Sequence, residues 1–313
     1  MSNPKVDAVL EQLQKTIYGK DRQCRLALGT LLARGNLLIE DVPGVGKTTL
    51  ALGLSRALAL SFGRIQFTPD TLPGDITGYS TVNMHTGELV FHDGPVMNHI
   101  ILADEINRTS PKTQASLLEV MEEQHVTVEG KTTPVPQPFM VIATENPIEF
   151  SGTYQLPEAQ LDRFLMRISM GYPEKGDEDD MLRRDLTGEK NAPVTPVLTR
   201  EDVLMMQEET ANVKVSESIR HFIIEIVRST RQTHSLSLGA SPRATLALTH
   251  AAQAWAYMKG LDYVVPEDVL AVVQPVLCHR LVLSLDASIQ NATADGVLTE
   301  CLKTVPVPPV STK

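Results

Sequence analysis

The chain has 313 residues, 42% of them hydrophobic and 21% charged, with a formal net charge of −10. That length suits one large domain or two ordinary ones, and the composition is that of a soluble globular protein. The apolar runs are far too short for a membrane span, and the acidic balance argues against a broad nucleic-acid-binding face.

The start, "MSNPKVDAVLEQLQ", lacks the basic-then-apolar layout of a secretory leader. Cys24, Cys278 and Cys301 are odd in number, widely spaced and outside any metal-ligand pattern, which suits a reducing, cytoplasmic setting. Val6, Val9, Leu10, Leu13 and Ile17 mark one apolar helical face, and 21–34 reads as a second helix. "NLLIE" at 36–40 is a short buried strand that runs into a glycine-rich loop, and 48–60 is again helical. A strand is predicted at 63–67. "HIILADE" at 99–105 is apolar until two acids end it, as expected of a central parallel strand. Residues 110–122 read as a helix with Ser110 as N-cap and Pro111 in the first turn, and 138–144 as another central strand. Strands separated by helices predict a parallel α/β sheet. Two hairpins interrupt the layout, at 80–91 around His85-Thr86-Gly87-Glu88 and at 125–133 around Glu129-Gly130. They are either decoration or projections toward a partner or pore.

Composition shifts after residue 172. "YPEKGDEDD" is polar and acidic, and "TGEKNAPVTPVLT" has linker character, so 173–198 is read as a linker. Beyond it strand signals vanish. Ile219, Phe222, Ile223, Ile226 and Val227 follow helical spacing, and 199–304 is expected to be a small all-helical domain. The proline-rich 305–313 reads as a flexible tail.

The chemistry gathers in five stretches. "DVPGVGKT" approaches the phosphate-loop pattern G-x-x-x-x-G-K-[ST], with Asp41 where the first glycine would stand. Gly44 and Gly46 let backbone N–H groups approach phosphate oxygens, and the following helix start adds its positive dipole end. Lys47 supplies a mobile cation for the β- and γ-phosphates and Thr48 a hydroxyl for Mg²⁺. Asp41 precedes the part of the loop that does most of the cradling. A carboxylate there is tolerable if it faces away from the phosphates, and Asp41→Gly is expected to leave turnover within a few-fold. Asp104 ends a buried strand where a carboxylate can hold Mg²⁺, and Glu105 is suited to orient or deprotonate a water. Asn146 follows a central strand and reads equally as a γ-phosphate or water ligand and as an Asn-Pro turn. Arg163, at a helix end, reads as a functional cation or a surface ion pair. Arg243 falls in the first turn of a helix, where a cation opposes the macrodipole, and this misfit points to an anionic partner.

Together these stretches resemble the AAA+ ATPases, and within them the MoxR family. The likeness runs from "IYGKDRQ" to "CHRLVL" and is carried by "EDVPGVGKT", "FTPDTLPGDITGY", "ADEINRTSPKTQASLLEVMEEQHVTV", "IATENP", "GTYQLPEAQLDRF" and "GASPRA". An acidic pair before the loop is the MoxR form, so Asp41 is a family mark; Glu145 departs from the family's usual Gln. The resemblance implies a parallel-sheet P-loop domain with helices on both faces over 1–172, followed by an all-helical lid. It implies ATP and Mg²⁺ as cofactors. The loop Pro43, Gly44, Val45, Gly46, Lys47, Thr48 and Thr49 would bind ATP, with Lys47 and Thr48 as the Walker A pair and Asp104 and Glu105 as the Walker B pair. Thr48 and Asp104 would hold the metal. Asn146 would be sensor 1, Arg163 the arginine finger and Arg243 sensor 2, in its own subunit or a neighbour's. Ile17, Tyr18 and Gly19 match the segment near adenine. The hairpins match the helix-2 and pre-sensor-1 inserts. Such proteins form homo-oligomeric rings, often hexamers, with ATP between neighbours. MoxR relatives work with separate von Willebrand factor A domain proteins and remodel, mature or activate clients, sometimes by helping metal insertion. Alternatives in the same clade are a magnesium-chelatase-like motor subunit, a nucleic-acid motor and a nucleotide-gated scaffold. The second hairpin has Lys131 but also Glu129 and no basic run, so stable nucleic-acid binding is not expected.

Overall fold

Local signals place most elements of the first half. Asn3 caps α1 (Pro4–Gln14), its side chain accepting from Lys5 N, and Val6, Val9, Leu10 and Leu13 form the buried stripe. There follow α2 (Asp21–Leu32), β1 (Leu37–Glu40), α3 (Lys47–Ala57), β2 (Phe62–Gln66) and the short α4 (Pro73–Thr77). The first hairpin pairs β3 (Gly78–Val82) with β4 (Leu89–Asp93). After β5 (Ile100–Asp104), Ser110 caps α5 (Pro111–Glu123) by accepting from Thr113 N, with Pro111 in the first turn. The second hairpin pairs β6 (His125–Val128) with β7 (Lys131–Pro134), and Glu129 and Gly130 both take positive φ (51° and 79°), as its two-residue turn demands. Then come β8 (Met140–Glu145), α6 (Glu158–Leu161) and β9 (Met166–Ile168). This computed structural model describes residues 3–87, 89–147, 153–188 and 192–309. Glu88 of the first hairpin turn, the start of "GTYQLPEAQLDRF", 189–191 of the expected linker and 310–313 of the expected tail lie outside them.

Five strands form one parallel sheet in the order β2-β5-β8-β1-β9. Successive strand residues point to opposite faces, and both faces are covered. Leu37, Ile39, Ile100, Leu102, Met140 and Ile142 join the core beneath α1, α2 and α3. Leu38, Ile101, Ala103, Val141 and Ala143 join the core beneath α5. The carboxyl ends of β1, β5 and β8 are therefore neighbours on one sheet edge, where α/β folds place their ligands.

The second half contains α7 (Lys175–Thr187), α8 (Arg200–Ala211), α9 (Glu217–Gln232), α10 (Pro242–Met258) and α11 (Pro266–Leu277). A 3₁₀ turn (Cys278–Arg280), α12 (Leu285–Ile289) and α13 (Ala294–Thr304) complete it. Two features differ from the sequence reading. The stretch read as a linker contains the 13-residue α7, which shows no apolar stripe because Met181 and Leu182 stay exposed. A short antiparallel ribbon pairs β10 (Leu236–Leu238) with β11 (Val282–Leu283), strands too short to show a two-residue period. Buried alanines of α10, among them Ala247, Ala251 and Ala254, belong to one continuous core with α2, α8 and α9, so the helical unit is packed onto the sheet unit. No helix among the described residues is long and apolar enough to cross a membrane.

Candidate functional site

The phosphate-type loop leaves β1 at Asp41 and ends where Gly46 opens α3. Gly44 and Gly46 have φ of +85° and +93°, and a Cβ built on either would meet nothing within 4 Å. Backbone conformation demands glycine here, and the space beside each is open for an incoming group. Asp41 is buried and turned away from that space. Its carboxylate accepts from Val42 N (2.8 Å), Ser169 Oγ (2.9 Å) and Gly171 N (2.7 Å). Burial alone would raise its pKa, but the hydrogen bonds from Gly171, Ser169 and Val42 outweigh that and hold the carboxyl below its ordinary value. Dispensability does not follow from facing away, because three donors depend on this acceptor. Lys47 Nζ donates to Asp41 O at 2.6 Å. Burial lowers its pKa, opposed by the charges of Asp41, Asp104 and Glu105, so the lysine stands within the field of all three acids. Thr48 and Thr49 follow in the first turn of α3.

Thr144 on β8 organises the acid pair. Its hydroxyl donates to Asp104 Oδ1 (2.7 Å) and accepts from Glu105 N (2.8 Å). Glu105 sits at φ 59°, a left-handed conformation uncommon for a non-glycine residue. Asp104 also accepts from Arg64 Nη2 (2.7 Å), and Glu105 Oε2 accepts from Gln66 Nε2 and Arg108 Nη1, each at 3.0 Å. Arg64 and Gln66 are alternate residues of β2, so both reach the same end of β5. The sequence reading missed these supporting residues; alternating polar positions on β2 were the available signal. Asn146 is buried immediately after β8, one strand from each of the loop and the acid pair. Beside it, Glu145 lies opposite Glu40 in the β1–β8 register, and Glu40 is paired with Arg167 at 2.6 Å. Glu145 Oε1 is buried without a hydrogen-bond partner among the described residues. Burial, then the Glu40 charge, push its pKa to about 7 against the pull of Arg167.

The loop forms one wall of a cavity of about 920 Å³. Pro43, Gly44, Val45, Gly46 and Thr49 line it, together with Ile17 and Tyr18. The opposite wall is Tyr172 and the α7 residues Met181, Leu182 and Arg184. Arg184 donates to Tyr18 Oη at 3.0 Å and lies over its ring at 4.8 Å from the centroid, a cation–π contact. Gly19 is not in the wall. It sits at φ +66° where a Cβ would collide with the Asp177 carboxylate, so its role is to admit α7. The α7 wall was hidden within the presumed linker; its only sequence hint was Met181-Leu182 amid charged residues.

Arg163 and Arg243 are not among the residues lining this cavity. Both meet Glu122 on α5: Arg163 Nη1 pairs with one carboxylate oxygen, and Arg243 Nη2 with the other at 2.7 Å. Arg163 Nη1 also donates to Leu118 O at 3.0 Å. Arg243 stands just after Pro242 in the first turn of α10, and Glu122 is the anion that offsets the helix dipole there. Hydrogen bonding from Arg243, then the Arg163 charge, hold Glu122 below the usual carboxylate range despite some desolvation. The structure thus brings loop, acid pair, Asn146 and the Ile17–Tyr18 segment to one sheet edge, and gathers the two arginines elsewhere.

The profile of the ATPase family associated with various cellular activities (AAA) matches residues 36–166, and that of the AAA lid domain matches 228–301. The chain is 40% identical over 315 residues to Chaperone MoxR1 of Mycobacterium tuberculosis, covering 98% of this chain and 83% of that one. It is 46% identical over 309 residues to the uncharacterized protein YeaC of Bacillus subtilis, covering 98% and 96%. It is 31% identical over 326 residues to Protein MoxR of Methylorubrum extorquens, covering 95% and 93%. A crystal structure of a candidate ATPase from Cytophaga hutchinsonii matches with a TM-score of 0.90 at 36% identity, covering 97% and 95% of the two chains.

Two outcomes follow from the carboxylates. Asp41→Asn turns an amide N–H toward donors, so stability at pH 7 should fall by about 1–3 kcal/mol. Because the folded-state pKa is the lower one, Asp41's contribution is present above the unfolded value near pH 4 and is lost as pH falls through the folded value. Urea midpoints of parent and variant should therefore converge toward acid. Glu145 has the opposite sign: the folded chain holds its proton more tightly, so its cost to stability develops as pH rises from 4.5 to about 7. Glu145→Gln should be the more stable protein at pH 8, by about 1–3 kcal/mol, with that advantage gone at pH 4. Equal midpoints at pH 8 would show that the carboxyl is already relieved.

Proposed function

The chain belongs to the MoxR family of AAA+ ATPases, and from that premise we propose that it hydrolyses Mg-ATP at subunit interfaces of a homo-oligomeric ring to remodel, mature or activate client proteins. The single observation that carries the reading is the open cradle at Gly44 and Gly46, backed by Lys47 and faced by Asp104 and Glu105 on the same sheet edge. Loop N–H groups and the start of α3 suit a triphosphate, and Lys47 is free to exchange its backbone acceptor for phosphate oxygens. Ile17, Tyr18 and the α7 wall suit the base. Thr48 and Asp104 would hold Mg²⁺ through their side-chain oxygens. The bound ion would supply charge neutralisation across the β- and γ-phosphates. Thr144 fixes Asp104 toward that duty. Glu105, held between Gln66 and Arg108, orients or deprotonates the attacking water, and Asn146 holds that water or the γ-phosphate.

The position of Arg163 and Arg243, together on Glu122 and away from the cavity, supports their completing a neighbouring subunit's site. A ring, the assembly that the family resemblance implies, supplies such a neighbour. The relative named Chaperone MoxR1 supports a client-directed role; a separate von Willebrand factor A domain protein as partner follows only from the family resemblance. The first hairpin exposes Tyr79, Val82, Met84 and Leu89. This favours contact with polypeptide over nucleic acid, which needs a basic surface.

The test is complementation. Arg163→Ala should bind ATP normally yet hydrolyse it poorly, since a finger guanidinium contributes roughly 10³–10⁵ in rate. Glu105→Gln should be equally inert from the other side of the interface, whereas Lys47→Ala should lose nucleotide affinity. Mixing Glu105→Gln with Arg163→Ala creates some interfaces that carry every group, so steady-state turnover should partly return. Mixing either with the double variant should restore nothing. A flat first mixture, with subunit exchange demonstrated, would place Arg163 in its own subunit.

A further inference from the structure

The segment that carries Arg163 is held by a buried cation of the helical unit that the sequence reading did not single out. Arg280, in the 3₁₀ turn after α11, has a side chain only 3% exposed. A guanidinium has five N–H groups, and here each has an acceptor. Nε donates to Asp162 Oδ1 (2.7 Å), and Nη2 donates to Phe164 O (2.6 Å) and Asp162 O (3.4 Å). Nη1 donates to Leu165 O (3.2 Å) and to Val276 O. His279 adds a hydrogen bond to Phe164 O at 3.0 Å. The carbonyls on both sides of Arg163 are thus occupied by the lid. The other oxygen of Asp162, Oδ2, accepts from Ser241 Oγ at 3.0 Å, and Ser241 is the N-cap of α10, two residues before Arg243.

One carboxylate therefore ties together the turn bearing Arg163, the helix start bearing Arg243 and the buried Arg280. We propose that Arg280, acting through Asp162, is a positioning residue that holds Arg163 and Arg243 as one unit, so that both move with the lid. Arg280 touches no part of the nucleotide cavity. Its fork geometry is the operative feature, because lysine carries the charge but cannot reach five acceptors. The inference rests on the reading of Arg163 and Arg243 as groups that complete a neighbour's site.

The experiment compares Arg280→Lys and Asp162→Asn with the parent. Without nucleotide, amide hydrogen exchange at Arg163, Phe164 and Leu165 should quicken about tenfold or more in both variants, while α8 and α9 stay protected. Affinity for a non-hydrolysable ATP analogue should stay within about threefold, while kcat falls at least about tenfold, a split that general loss of structure does not produce. In mixtures, each variant should regain turnover with Glu105→Gln and none with Arg163→Ala, which sorts the defect to the finger side. Asp162→Asn alters a partly exposed side chain, so it carries the test if Arg280→Lys fails to fold. Unchanged exchange at 163–165, or recovery with Arg163→Ala, overturns the proposal. The Glu105→Gln plus Arg163→Ala mixture is the reference. If it stays flat while exchange quickens and kcat falls at constant affinity, the clamp stands and the shared-site reading fails. If it recovers while the Arg280 and Asp162 variants match the parent, only the clamp fails.

Discussion

The Asp41 carboxylate is the point on which the candidate site is hung. β1 and β9 are already parallel neighbours, and Asp41 adds a second fastening just beyond both strand ends, through Ser169 and Gly171. That fastening fixes the entry of the glycine loop and, from the other side, the start of the path through Tyr172 to α7. Lys20 takes up the path next, donating to Tyr172 O at 2.8 Å. The two walls of the cavity are thus referenced to a single buried anion. Lys47, bonded to the backbone oxygen of the same residue, is poised on the cavity side of it. An acid at the mouth of a phosphate site is compatible with phosphate because its carboxylate is buried and accepts from Val42, Ser169 and Gly171 instead of facing the loop.

The sheet edge gathers many acids in a small volume, and the structure manages them by pairing. Glu40 has Arg167, Asp104 has Arg64 and Glu105 has Arg108. Glu145 Oε1 has no hydrogen-bond partner among the described residues, and burial with the Glu40 charge raises its pKa to about 7. An amide there would bring the same shape without a titrating proton, so this position sets one carboxyl of the edge apart from those paired with an arginine. Thr144 has a different function, using one hydroxyl as donor and acceptor to join the strand end to the left-handed turn at Glu105.

Two kinds of ion pair join the helical unit to the sheet unit, and their burial separates their duties. Arg163, Arg243 and Glu122 are all substantially exposed, and pairs of that kind contribute about 0–1 kcal/mol. Their tips can change partners cheaply. Arg280 is buried, and breaking a buried pair typically costs about 3–5 kcal/mol because a charge is left without compensation. The seam is therefore stiff at Asp162 and yielding at Glu122, an arrangement that holds the backbone while leaving the guanidinium tips able to meet another anion.

The sequence by itself determined the features whose cause is local. The apolar runs of β1, β5 and β8, the Ser110 cap with Pro111, the Glu129-Gly130 turn and the glycines ahead of Lys47 each depend on a few consecutive residues. Their physics is backbone conformation and two- or four-residue periodicity, which a chain displays in order. The parallel sheet and the helical second unit followed from the same signals, and the family from the resemblance of the motif stretches. Tertiary structure decided what depends on distant residues meeting. Nothing local says that Asp41 will find Ser169, that Thr144 will bridge Asp104 and Glu105, or that Arg163 and Arg243 will share Glu122. The polar α7 looked like a linker because it packs with its ends and one edge, against Tyr18 and Gly19, and needs no apolar stripe. Arg280 was silent for a related reason: an arginine's burial is set by which carbonyls surround it, and all but one of those belong to a turn more than a hundred residues earlier in the chain.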